Sequence, residues 1–136
     1  MSELTKHVRP IHRNIHVTQI LAYRLPLAGI ISILHRVSGA ILFLLLPFVL
    51  YLLDKSLTSE RSFEIFKAIT SHWAAKLVIL ALAWAWLHHF CAGVRHLFMD
   101  VHIGLEKDAA RQSAVAVFAV SLTLLLLVAL KLFGAF

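Results

Sequence analysis

An all-α membrane protein of three transmembrane helices, with a short interfacial helix between the first two and its N-terminus inside, is the architecture this sequence predicts. Three observations point there. In a chain of 136 residues, 60% are hydrophobic and only 15% are charged, too apolar a balance for a typical soluble domain of this size. The apolar residues gather into three runs of about 20 residues or more, and at about 1.5 Å rise per residue each crosses a hydrocarbon core of roughly 30 Å. The charged residues sit between the runs or at their ends. The 13 Lys and Arg against 7 Asp and Glu give a formal charge of +6. In a soluble protein that excess would suggest nucleic-acid binding, but here its placement suits anionic lipid headgroups and excludes a nucleic-acid partner.

The elements follow in order. Residues 1–26 read as a cytoplasmic arm carrying Lys6, Arg9, Arg13 and Arg24. It has no compact apolar run with a small-residue cleavage site, so a removable secretory signal is not expected. The arm leads directly into a helix, which favours a bacterial inner-membrane, multi-pass protein over an imported one. The membrane domain spans residues 27–136. Its first helix covers about 27–53, provided His35 and Arg36 are accommodated. The polar connection that follows holds Asp54, Lys55, Glu60, Arg61, Glu64 and Lys67, with Phe63, Phe66, Ile69 and Trp73 at roughly helical spacing, the pattern of a short interfacial amphipathic helix. A second span covers about 73–99, with Lys76 and Arg95 as snorkelling residues near its ends. The third, about 113–136, is a plain apolar spanner with Lys131 near the far interface.

Three crossings put the termini on opposite sides. With the N-terminus inside, the inner segments hold Lys6, Arg9, Arg13, Arg24, Arg36, Arg95, Lys107 and Arg111, eight cations against the five outer ones, Lys55, Arg61, Lys67, Lys76 and Lys131. The bias favours N-in and C-out. The single cysteine, Cys91, excludes an intrachain disulfide, and iron–sulfur ligation within the chain is not expected from one thiolate. No G-x-G-x-x-G is present to hold a flavin.

The informative anomaly is polar. Ionisable residues at membrane depth are costly and mark function by default. On the first helix Ser32, His35, Arg36 and Gly39 stand at i, i+3, i+4 and i+7, so they share one face. On the second, His89, Gly93, His96 and Asp100 stand at i, i+4, i+7 and i+11 and share another, while His88 and Arg95 lie on a different side. The helices run in opposite directions, so Arg36 and His96 meet at the inner end. His89 lies on the order of 15 Å deep. An imidazole there needs a hydrogen-bond partner or a metal. Haem iron is one solution, with Gly93 letting the macrocycle lie close and His35 and Arg36 meeting its propionates. A histidine hydrogen-bonded to a neighbouring helix is the alternative.

The stretch Ser32-Ile33-Leu34-His35-Arg36-Val37-Ser38-Gly39 resembles the S-x-x-H-R-x-S-G signature of succinate dehydrogenase cytochrome b subunits. The second helix, from His89 through Gly93, Arg95 and His96 to Asp100, is similar to that family's H-x-x-x-G-x-R-H-x-x-x-D pattern. Arg9-Pro10 resembles its opening. The resemblance implies a membrane anchor paired with a second small membrane subunit, with haem b held between them and a ubiquinone site facing an iron–sulfur subunit, to which a flavoprotein subunit delivers electrons. It implies His89 as axial ligand to the haem iron, Ser32 and Arg36 at the quinone site, and His35, Arg36 and His96 near the haem propionates or lining the pocket. It also implies that succinate oxidation happens on other subunits. One local departure is His88, where the family often has an aromatic residue, so the ligand assignment rests on the spacing from His89 to Gly93 and His96. Competing readings are the anchor of a quinol:fumarate reductase and a structural membrane protein without redox role. A transporter would show an internal repeat or broken helices, and neither is visible.

Overall fold

The computed structural model describes residues 16–134. Within them the chain is all-helical, in five elements: α1 (Val17–Ala22), α2 (Leu27–Thr58), α3 (Glu60–Ser71), α4 (Trp73–Asp100) and α5 (Lys107–Leu132). Three of these, α2, α4 and α5, are long and apolar enough to cross a membrane. At 32, 28 and 26 residues they run roughly 48, 42 and 39 Å, so each extends beyond the hydrocarbon core.

The expected boundaries need correction at several places. The first span continues to Thr58 rather than stopping near residue 53, and the third begins at Lys107, six residues before Ser113. Helices end where capping and backbone geometry stop them, and hydropathy does not report either. The segment before the first span holds a short helix, α1, instead of passing straight into it. Most of the N-terminal arm, residues 1–15, and the last two residues lie outside the described residues.

Local chemistry explains the junctions. Pro26 stands at the N-cap of α2 in extended backbone, which suits a residue with fixed φ and no N–H to satisfy. Between α2 and α3, the Ser59 hydroxyl accepts from the Ser62 amide and the Ser62 hydroxyl from the Ser59 amide, each at 3.1 Å, a reciprocal cap. The amphipathic stretch read from Phe63, Phe66 and Ile69 is α3, a helix of 12 residues. α4 is capped by His72, whose Nδ1 accepts from the Ala74 amide. It ends with the Ile103 amide bonded to the Phe98 carbonyl and the His102 amide to that of Met99. This is a Schellman closure, and it requires left-handed backbone at His102, φ 63°, a position glycine usually fills.

Cross-helix contacts fix the order as antiparallel. Gly39 on α2 lies against His89, while His35, one turn earlier, reaches His96. On α4 and α5, Arg95 pairs with Ser113, His88 with Phe118, and Lys76 with Phe133. The three spans meet at Ile31, Ala92, Ala114 and Val117. Small side chains there let backbones close without a hydrophobic drive between helices, the usual solution in lipid. The outer surface is apolar: Phe43 and Leu44 are about three-quarters exposed, as expected of spans that face lipid or other membrane helices.

Candidate functional site

The polar stripes of α2 and α4 meet face to face. The rings of His35 and His89 stack with centroids 4.2 Å apart and planes within 9°, and His96 tilts against His35 at 5.0 Å. His89 is anchored from one side only. Its Nδ1 lies 3.0 Å from the His35 carbonyl oxygen and 3.3 Å from Ser38 Oγ. A carbonyl only accepts, so Nδ1 carries the proton. The Ser38 hydroxyl donates to the same carbonyl at 3.0 Å, which leaves its oxygen to accept from His89. The tautomer this contact selects is the one that leaves Nε2 without a proton, and Nε2 makes no hydrogen bond among the described residues. Fixing one imidazole nitrogen on a backbone carbonyl so that the other is a free donor is how proteins orient axial and metal-binding histidines.

Gly39 makes this possible. A Cβ there would stand 2.7 Å from His89 Cε1 and 3.2 Å from Nδ1, closer than side-chain contacts allow. The bare backbone lets the imidazole reach the carbonyl one turn earlier. Gly93 has a looser counterpart, since its Cβ would meet His35 Nε2 at 3.4 Å, ordinary van der Waals contact.

His88 lies elsewhere. It is fully buried between Trp84 and Phe118, with ring centroids at 5.4 and 5.6 Å. It faces the Ile31 backbone, yet neither ring nitrogen has a partner in hydrogen-bond geometry. Enclosed on all sides by this chain, it offers no open approach to an external group.

The remaining expected residues divide. Ser32 is half-buried on α2, and Arg36 is exposed; among the described residues neither makes a hydrogen bond or ion pair. Ile31, next to Ser32 on α2, is buried at the junction of the three spans. Arg95 corrects an expectation. Its head group is not free in water at the helix end but is 6% exposed, donating from Nε to Ser113 Oγ at 2.9 Å and from Nη2 to the Ala110 carbonyl at 3.4 Å. Ser38 is the site residue that sequence reasoning passed over. Its position three residues after His35 was the available signal. His35, His89 and His96 do not converge as a metal-binding cluster, and among the described residues no three ligands do. That geometry leaves His89 Nε2 as a single oriented imidazole nitrogen on the α2–α4 face.

Three antiparallel spans bearing facing columns of histidine and glycine define an integral membrane helix bundle with one oriented, open imidazole. The chain belongs to the family of succinate dehydrogenase/fumarate reductase transmembrane subunits, which it matches over residues 7–128. It is 32% identical over 133 residues to the succinate dehydrogenase cytochrome b556 subunit of Paracoccus denitrificans, covering 98% of both chains. It is 37% identical over 115 residues to that of Coxiella burnetii, covering 83% of this chain and 87% of the relative. With the subunit of the same name from Rickettsia felis it shares 31% over 106 residues, 76% of this chain and 82% of the relative. These relatives are subunits of an enzyme complex, so other subunits and a membrane accompany membership of the family.

Proposed function

We propose that this chain is a membrane anchor of a succinate:quinone oxidoreductase, holding haem b against a second small membrane subunit and helping to build the ubiquinone site. The observation that carries the reading is His89, with Nδ1 held by the His35 carbonyl and Nε2 left as a free donor. The relatives' name as cytochrome b subunits of succinate dehydrogenase supports haem and supports the succinate-oxidising direction over fumarate reduction.

Haem held by His89 would supply one-electron redox chemistry within the membrane. This chain's own residues have separate tasks. His35 and Ser38 fix the tautomer and plane of His89. Gly39 and Gly93 remove side-chain bulk where the ring and its stacked neighbour sit. His35, Arg36 and His96, gathered at one end of the α2–α4 face, offer donors to propionates. Ser32, one turn from Arg36, hydrogen-bonds a quinone carbonyl, and Arg36 stabilises negative charge developing on the quinone oxygens. Partner subunits would complete the haem site and carry the flavin and the iron–sulfur clusters: the second anchor, the flavoprotein and the iron–sulfur protein. The assembly sits in the bacterial inner membrane with the N-terminal side of this chain inside.

The test is optical. In the complex purified from membranes, His89→Leu removes or converts the b-type spectrum, while His88→Leu keeps it, because His88 is enclosed between Trp84 and Phe118. Loss of the spectrum with His88→Leu and its retention with His89→Leu would move the ligand. A complex with no Soret band and no flavin or iron–sulfur subunits attached would return the chain to a structural role.

A further inference from the structure

On the far side of α4 from His89 a groove opens between α4 and α5. At 100° per residue, Cys91, Val94 and Phe98 lie roughly 140–200° round the helix from His89. They form one wall of a cavity of about 570 Å³, with Ala116, Val117 and Val120 of α5 forming the other. That volume is in the range of ligand sites, roughly 300–1,000 Å³, and the walls are almost wholly hydrocarbon. One charged group lines it. Arg95 is 94% buried by its 6% exposure, and its Nε and Nη2 are taken by Ser113 and Ala110. Its Nη1 has no hydrogen-bond partner among the described residues, and no carboxylate pairs with it. Asp100, Glu106 and Asp108, on the same end of the helices, make no ion pair with the guanidinium. A cation this enclosed without an anion is costly at membrane depth.

The depth of the groove defines what would complete it. Arg95 lies five residues before the end of α4, about 7–8 Å along the axis, so the guanidinium sits near the level of lipid headgroups and glycerol esters. From there the groove continues inward past Val94 and Val117 to Phe90 and Val120, deep in hydrocarbon. An anion at the top and an apolar chain below describe one molecule. We propose that this groove binds an anionic glycerophospholipid from the leaflet on the α4–α5 loop side, its phosphate on Arg95 and one acyl chain along α4 and α5. Basic pockets between spans recognise such headgroups by the same chemistry. The groove faces away from His89, so a subunit docking on the histidine face leaves it open to lipid. The proposal requires only that α2, α4 and α5 span a bilayer, and holds whether or not haem is present.

The complex that contains this chain, extracted in mild detergent and delipidated, is titrated with dioleoylphosphatidylglycerol and with dioleoylphosphatidylcholine and followed by native mass spectrometry. The wild type binds phosphatidylglycerol on the order of tenfold more tightly. Arg95→Gln abolishes that preference. Should Arg95→Gln fail to assemble, Arg95→Lys keeps the charge and the preference with weaker binding. Ala116→Phe fills the groove without touching the guanidinium and weakens phosphatidylglycerol by a similar factor. The proposal is overturned if phosphatidylcholine binds equally, if Ala116→Phe leaves binding unchanged, or if inorganic phosphate alone binds as tightly as the lipid. It is also overturned if a diazirine-tailed phosphatidylglycerol cross-links to another subunit instead of residues 90–98 and 116–120, since a protein then covers the groove.

Discussion

Replacing Gly39 by alanine places a methyl group 2.7 Å from His89 Cε1, where ordinary contact begins near 3.4 Å. The imidazole cannot swing aside freely, because Nδ1 is tied to the His35 carbonyl and Ser38 and the ring is stacked on His35. If the ring moves, the hydrogen bond is lost at a net cost of about 0.5–1.5 kcal/mol. If α2 and α4 spread instead, overpacking costs about 1–3 kcal/mol. Alanine's better helix propensity returns about 0.8–1.0 kcal/mol, leaving a net loss of up to about 2 kcal/mol where the helices spread. Expressed as haem retention, that is a factor of up to roughly 30. Gly93→Ala is the control: its Cβ meets His35 Nε2 at 3.4 Å, so it gains the same propensity with little crowding and stays near wild type. The assay is haem per flavin in the purified complex, from reduced-minus-oxidised spectra, with the thermal midpoint for haem loss. Gly39→Ala matching wild type on both measures, or Gly93→Ala proving the worse of the two, would refute the reasoning.

Other outcomes are expected from the same geometry. Ser113→Ala removes the Arg95 Nε partner and should lower stability in mild denaturing detergent by about 0.6–1.7 kcal/mol, the range of hydrogen bonds between membrane helices; no change would mean that the Ala110 carbonyl alone suffices. His88→Phe replaces a buried ring with two unpartnered nitrogens by an apolar ring, and should leave stability unchanged or raise it by about 1 kcal/mol. A fall of more than about 2 kcal/mol in the unfolding free energy would show that His88 has a required partner. Ser32→Ala should weaken quinone turnover while succinate-dependent dye reduction by the attached soluble subunits survives, and Arg36→Leu should cost on the order of 10²-fold; unchanged quinone kinetics in a fully assembled Ser32→Ala complex would remove Ser32 from the site. Reporter fusions within residues 101–106 should be active as cytoplasmic reporters, and activity there only on the outer side would reverse the topology.

The three spans were legible because hydrocarbon imposes a length and a composition that no local interaction can disguise. The facing stripes were legible too: 3.6 residues per turn is strict enough that Ser32, His35, Arg36 and Gly39 had to share a face, and antiparallel succession had to bring the His35 end of α2 to the His96 end of α4. The α1 turn and the early start of α5 at Lys107 were not legible, since both lie in polar sequence where helix and coil differ by small local terms.

What the sequence by itself determined is therefore the number of spans and which residue types share each helical face, both consequences of periodicity along one chain. Which nitrogen of His89 is held, and by what, was decided by the approach of two helices. The His35 carbonyl is a backbone group with no signature in side-chain spacing, and it became a partner only because Gly39 let α4 come within contact. The same is true of His88 and Arg95. Their shared side of α4 was readable, but their fates depended on where α5 packed: it enclosed His88 without a hydrogen-bond partner and held Arg95 through Ser113 instead of leaving its head group free. Helix–helix distance and rotation set those contacts, and they are properties of packing among all three spans that no single span encodes.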